Sequence, residues 1–244
     1  MSNKDIFPIF VYWENSKNSN TPELIKKCYK TMRKHLSENI IFLNENNLNK
    51  YIHNYKLKDC SRIKYIAQKV DYYRSVILYE NGGMWIDSDT IILKNFDKLI
   101  KEFELSNLEL GCDTTELNNN IINIQYLMVK KKSNIIKKWV DSCENIILSN
   151  KHIKWSDLGA TLLGKTYNNH FKDKLIFKIP INFRLTVGYK NFEKYYTEDK
   201  NEKNNFLNEI INKKPYIICL YGTFMYKKNI GENTLLNELF NYNV

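Results

Sequence analysis

The chain has 244 residues with 43% hydrophobic content, enough for one full core and short for two, so a single domain spanning residues 1–244 is expected. Lys and Arg outnumber Asp and Glu by 37 to 27, and the net charge of +10 suits an anionic partner: a phosphorylated substrate, an acidic glycan, a phospholipid surface or nucleic acid. The chain shows no zinc-finger spacing, RNP-like aromatic motif or basic zipper, which argues against a specific nucleic-acid reader.

No segment approaches the roughly 20 apolar residues of a membrane span, which leaves peripheral contact as the only membrane association expected. The short apolar run from Ile6 to Trp13 lacks the length and flanks of a signal peptide. Cys28, Cys60, Cys112, Cys143 and Cys219 are dispersed and odd in number, so neither zinc site nor disulfide framework is indicated, and a cytoplasmic setting is expected. The excess of Asn, Lys, Ile and Tyr follows AT-rich codons and carries little functional information.

In chain order, Phe7–Trp13 reads as a buried first strand. Thr21-Pro22-Glu23 then starts a helix, with Thr as N-cap and Pro in the first turn, and Leu24, Cys28 and Met32 follow at four-residue spacing. Ile40–Leu43 is the next strand, and a short helix is expected within 44–54. Strand, helix and strand open a parallel sheet. Ile63, Ile66, Val70, Tyr73 and Ile77 mark an amphipathic helix over about 62–79, which Asn81-Gly82-Gly83 terminates. Met84-Trp85-Ile86-Asp87 is strand-like and carries Asp87 and Asp89 to the strand end where open α/β sheets bind ligands. Further on, helices are expected near 96–103, 133–148 and 155–167, and strands near 108–112, 121–129, 175–179 and 216–221. The segment 191–214 reads as a surface helix or a loop.

Asp87-Ser88-Asp89 is the pattern with the most chemistry. On an extended backbone the two carboxylates point the same way, and like charges held together favour a cation. Mg²⁺ or Mn²⁺ uses one or two carboxylates together with substrate phosphates and water. As a bare tripeptide the same residues also describe a capped turn. Asp71 and Arg74 are neighbours on one helical face, which reads either as a surface ion pair or as a carboxylate for a ribose or base beside a fork for phosphate. Trp85 suits a donor pocket or the core, and the core is favoured because Met84 and Ile86 occupy the other strand face. His35, His53, His152 and His170 have no ligand spacing and no paired nucleophile.

The stretch from Val70 to Asp89, with its Asp-x-x-Arg helix, Leu-Tyr-x-x-Gly-Gly turn and aromatic strand ending in Asp-x-Asp, resembles the sugar-binding region of family 32 glycosyltransferases that contains the DXD motif. Trp13, Pro22-Glu23-Leu24, Cys28 and residues 46–51 are similar to the capsular polysaccharide synthesis branch of that group, and the resemblance fades after about Trp139. It implies an α/β fold of GT-A type, Rossmann-like, with a mixed central sheet flanked by helices. Tyr12, Trp13 and nearby main chain would receive the base, Asp71 the nucleoside or sugar, and Arg74 the sugar and diphosphate region. Gly83, Trp85 and Ser88 would line the donor pocket. Asp87 would serve the ribose and metal shell, and Asp89 would ligate Mn²⁺ or Mg²⁺.

The activity so implied is transfer of a hexose, with retention of configuration, from a nucleotide diphosphate sugar (a UDP-sugar first) to a glycan or glycoprotein acceptor. The alternative is a catalytically silent nucleotide- or glycan-binding protein on the same fold. Relatives carry a late His or Trp in a closing loop. Here 220–228 has no His, and Tyr221, Thr223, Tyr226 and Lys227 are the candidates to replace it. Asp157, in Trp155-Ser156-Asp157-Leu158-Gly159, reads equally as a helix N-cap or as a residue on the acceptor side.

Overall fold

Two sheets organise the chain, one around the apolar runs of its first two-thirds and one around later, shorter strands. The computed structural model describes residues 7–15, 19–36, 40–149, 152–225 and 228–242, with backbone only at Thr223 and Phe224. Its residues gather into two compact units, one formed by residues up to Tyr12 with Ile41–Ile86 and Asp97–Ile179, the other by Trp13–Ile40, Asp87–Phe96 and the residues from Pro180 on.

The first unit is a mixed six-stranded sheet flanked by helices, the α/β architecture expected. Its strand order is β2 (Ile40–Leu43), β1 (Ile9–Tyr12), β3 (Gly83–Ile86), β6 (Tyr126–Val129), β5 (Leu110–Cys112), β7 (Phe177–Lys178). β1 and β3 run parallel with Ile9 opposite Met84, whereas β6 is antiparallel to both β3 and β5. Both neighbours of β3 are strands, so all four of its residues are buried. On one face Phe10, Trp85, Leu127 and Cys112 share a core with Tyr72 and Val76 of α2 (Ile66–Asn81), Trp139 and Cys143 of α4 (Asn134–Leu148), and Leu163 of α5 (Ala160–His170). On the other face α3 (Asp97–Ser106) brings Phe103 edge-on to Phe7 and Phe177, and Gly111 leaves room for the same ring.

Two sequence expectations shift here for identifiable reasons. The helix expected from about residue 62 begins at Ile66, because Arg62 turns away to donate to the carbonyls of Ile147 and Ser149 at the end of α4. The helix expected from Trp155 begins at Ala160, because Asp157 accepts the Lys154 N–H at 2.8 Å and closes a turn there, so Asp157 is not the helix N-cap.

The joint between α2 and β3 is made by Gly82 and Gly83, with φ of 67° and 98°. A Cβ on Gly82 would lie 2.6 Å from the Lys131 nitrogen and one on Gly83 2.4 Å from the Pro8 carbonyl oxygen. Both positions combine left-handed backbone with contact against main chain, which only glycine satisfies.

The second unit has a three-stranded sheet, β4 (Thr90–Ile92), β9 (Ile217–Cys219) and β8 (Arg184–Leu185), with β4 antiparallel and β8 parallel to β9. Helix α1 (Glu23–His35) buries Leu24, Ile25, Cys28 and Met32, and Thr31 Oγ1 accepts the Ile92 N–H at 3.0 Å, fixing α1 to β4. Pro22, not Thr21, occupies the N-cap of α1, and its carbonyl closes the first turn with Lys26 N–H. The segment 191–214 is helical through α6 (Lys200–Lys213), capped by Asp199. The short α7 (Gly222–Met225) and α8 (Leu235–Asn241) follow. Among the described residues no helix is long and apolar enough to cross a membrane.

Glu109 shows how few groups hold the layers in register. From the start of β5 it accepts the N–H groups of Asn134 and Ile135 and the Ser133 hydroxyl at the head of α4, and pairs with Lys174 at 2.6 Å. Partial burial works to raise its pKa, but Lys174 and these donors outweigh it and bring it down to about 2. A depressed carboxylate stabilises the fold above its unfolded pKa and loses that contribution as pH falls toward 2. Glu109→Gln is therefore expected to lower stability at pH 7 by about 1–2 kcal/mol, after discounting for solvent screening, and to remove part of the loss of stability between pH 4.5 and 2, as read by urea denaturation across pH.

Candidate active site

The Asp71 and Arg74 pair is buried, which sets aside the surface ion-pair reading. Arg74 Nη2 lies 3.6 Å from Asp71 Oδ1, and the side chains are 5% and 16% exposed. Arg74 Nη1 donates to the Ile124 carbonyl, and its guanidinium stands 5.0 Å from the centre of the Trp85 ring. A charge taken from water needs such compensation, and a planar guanidinium meets a carboxylate, a carbonyl and an aromatic face at once.

Trp85 lies in the core, as its flanking residues suggest, and acts on this group by supporting Arg74. Behind Asp71 the main chain at Gly159 approaches so closely that a Cβ there would be 2.5 Å from Asp71 Oδ2. The carboxylate is thus boxed between Arg74 and the start of α5. The nearby Cys143 thiol has its pKa raised, first by burial and then by Asp71, so it stays neutral.

In the second unit Asp87, Ser88 and Asp89 do not continue the strand. β3 ends at Ile86, and Ser88 and Asp89 turn into β4, so the expected same-face alternation gives way to a tight bend. The stretch after β9 holds this bend. Asp89 accepts the Leu220 N–H through its carbonyl at 3.1 Å and the Gly222 N–H through Oδ2 at 2.7 Å. A Cβ on Gly222 would sit 3.0 Å from the Asp89 side chain, so glycine admits the carboxylate to the backbone. Cys28 of α1 is fully buried, and its pKa is raised by burial first and then by Asp89, so no second anion forms there.

The remaining candidates fall as follows. Tyr12 ends β1, buried and edge-on to Tyr73 at 5.9 Å, and Gly83 is buried in the joint described above. Trp13 is half-buried and donates its indole N–H to Asn15 Oδ1 at 2.7 Å. Tyr221 falls between the two residues that bond Asp89, and its hydroxyl accepts from Thr186 Oγ1 at 3.0 Å. Tyr226 and Lys227 lie outside the described residues, as does the Thr223 side chain.

The Gly222 N–H is the partner that local sequence pattern does not reach, because it lies 133 residues along the chain from Asp89. Among the described residues no three or more His, Cys, Asp or Glu side chains gather as a metal site. Two carboxylates from one turn are nevertheless a hard-oxygen donor set that suits Mg²⁺ or Mn²⁺ when phosphate and water complete the shell.

With this geometry in view, the sequence assigns a family. The model for the capsular polysaccharide synthesis protein family matches residues 1–214, and the chain belongs to that family. No curated protein matches significantly. Among solved structures the chain is similar to the PaToxG glycosyltransferase (15% identity, 96% of this chain, 84% of that one, TM-score 0.46). It is also similar to the glycosyltransferase GlyE of Streptococcus pneumoniae TIGR4 (16%, 96% and 63%, TM-score 0.49). A third is a glycosyltransferase involved in glycosylation of the major capsid of PBCV-1 (12%, 96% and 100%, TM-score 0.48). The chain thus spans 63% of the GlyE structure.

Removing one member of a buried pair strands the other. Arg74→Ala is expected to destabilise the protein by about 3 kcal/mol and Arg74→Ala with Asp71→Asn by clearly less, both read from urea denaturation midpoints.

Proposed function

We propose that this chain is a metal-dependent, retaining glycosyltransferase of GT-A type that moves a hexose from a nucleotide diphosphate sugar, a UDP-hexose first, to a glycan or glycoprotein acceptor. The observation that carries the reading is the carboxylate bend Asp87-Ser88-Asp89, with Asp89 held on the Gly222 N–H in a member of a polysaccharide-synthesis family. Such a carboxylate is oriented before any ligand arrives, and preorganisation is what charge stabilisation requires.

Asp89, with Asp87, would hold Mn²⁺ or Mg²⁺, which when bound offsets the negative charge gathering on the departing diphosphate. Asp71, held in place by Arg74, would accept hydrogen bonds from hydroxyls of the sugar donor. Trp13, half-buried, would offer aromatic surface for the base, with the buried Tyr12 ring beside it in the chain, and Tyr221 a hydroxyl close in sequence to the Asp89 contacts. In the reaction, the acceptor oxygen bonds to the anomeric carbon as the sugar–phosphate bond breaks, and its proton passes to an oxygen of the departing diphosphate. Attack and departure share one face, which retains configuration and needs no protein nucleophile.

Mn²⁺ with UDP, each well above its dissociation constant, is expected to raise Tm by about 5–10 °C, since ligand at 100 times Kd adds about 2.7 kcal/mol in a chain of this size. Asp89→Asn should abolish the shift while leaving the apo Tm near wild type, because the amide oxygen still accepts from Gly222 N–H. A screen of nucleotide sugars should then show Mn²⁺-dependent release of a nucleoside diphosphate. Absence of both a shift and release across all nucleotides and metals would overturn the assignment.

A further inference from the structure

The first unit exposes aromatic surface to which the proposed transfer assigns no role. Trp155 is 55% exposed and Tyr65 44%, and their rings meet edge-to-face with centroids 5.4 Å apart. Ile66, also exposed, adjoins Tyr65. Burying such rings is worth several kcal/mol to a fold, so a pair left in water together marks a surface with a use elsewhere.

The platform is rigid. Gln68, 1% exposed, donates its backbone N–H to the Tyr65 carbonyl and its side-chain amide N–H groups to the carbonyls of Lys154, at 2.6 Å, and Ile153. Its Oε1 is buried without a partner among the described residues, a polar burial that an apolar side chain would avoid. Beyond Trp155, Asp157 accepts the Lys154 N–H, and Trp139 donates its indole N–H to the Leu158 carbonyl at 2.8 Å. The loop that carries Trp155 is thus fastened on both sides while its ring stays in solvent. Little ordering entropy remains to be lost on binding, as in recognition surfaces built on Tyr and Trp.

We propose that Tyr65 and Trp155 form a binding platform for a saccharide chain. A pyranose presents a flat face of polarised C–H groups, which match the negative face of an indole, and a rim of hydroxyls. Lys64 Nζ lies 5.4 Å from the centre of the Tyr65 ring, and exposed His152, Lys154 and Ser156 and half-exposed Asp157 flank Trp155 in the chain. Two lysines beside the rings in a chain of net charge +10 favour an acidic saccharide over a neutral one. The choice of saccharide rests on the proposed transferase reading and on the family. The platform itself rests on the two rings and their support.

The test is binding of the full chain to a printed array of neutral and uronic-acid oligosaccharides, in EDTA and without nucleotide, followed by titration of the strongest glycan. Trp155→Ala is expected to weaken binding at least tenfold and Tyr65→Ala severalfold, whereas Tyr65→Phe, which keeps the ring, should bind like wild type. Tm of each variant should stay within 2 °C of wild type by the handful-of-tenths cost of a surface change; about the same Mn²⁺ and UDP shift should persist, which separates this proposal from the transferase reading. Glycan binding that survives Asp89→Asn, a change expected to abolish the nucleotide shift, supports a platform that works apart from the metal site. The platform is overturned if no glycan binds, if Trp155→Ala binds as tightly as wild type, or if Trp155→Ala instead abolishes self-association or capture of a protein.

Discussion

The Gly82-Gly83 joint is the constraint from which the rest of the first unit follows. Left-handed backbone at both positions, with Lys131 and Pro8 main chain where side chains would project, fixes where α2 stops and which residue of β3 faces which neighbour. The Met84 N–H then bonds the Pro8 carbonyl at 2.8 Å and β3 locks between β1 and β6. A slip of one residue would turn Trp85 away from Arg74 and put Met84 in its place. The same register sets the chain position at which the strand gives out and the acidic bend begins.

Two solutions to one electrostatic problem appear along this stretch. Asp71, nearly buried, is paired with a guanidinium that is itself held by Ile124 and Trp85. Asp89 is steadied by a backbone donor, the Gly222 N–H. A carboxylate neutralised by arginine serves poorly as a cation ligand, and one bonded to an amide serves well. On the proposed reading, this contrast suits Asp71 to orienting the donor and Asp89 to the metal.

Long elements with one apolar face were legible in the sequence. The strand at Ile9–Tyr12, the end of α2 at the glycines and the α4 start at Ser133 all stand where pattern and capping chemistry place them. What was not legible is short or non-local. β4, β8 and α8 span too few residues to show a period, and the Trp155 turn is imposed by Gln68 and Asp157 across many residues of chain. The acidic bend escaped for the same reason: the partners of Asp89 come from 220–222, and only the fold makes them neighbours.

Glycine codons are rich in G and C, and this chain's wealth of Asn, Lys, Ile and Tyr marks drift in the opposite direction. Gly82, Gly83, Gly159 and Gly164 would each bring a Cβ within 2.3–2.6 Å of another atom. Gly159 and Gly222 each lie against one of the two acids, Asp71 and Asp89. These glycines mark places where the polypeptide has no spare volume.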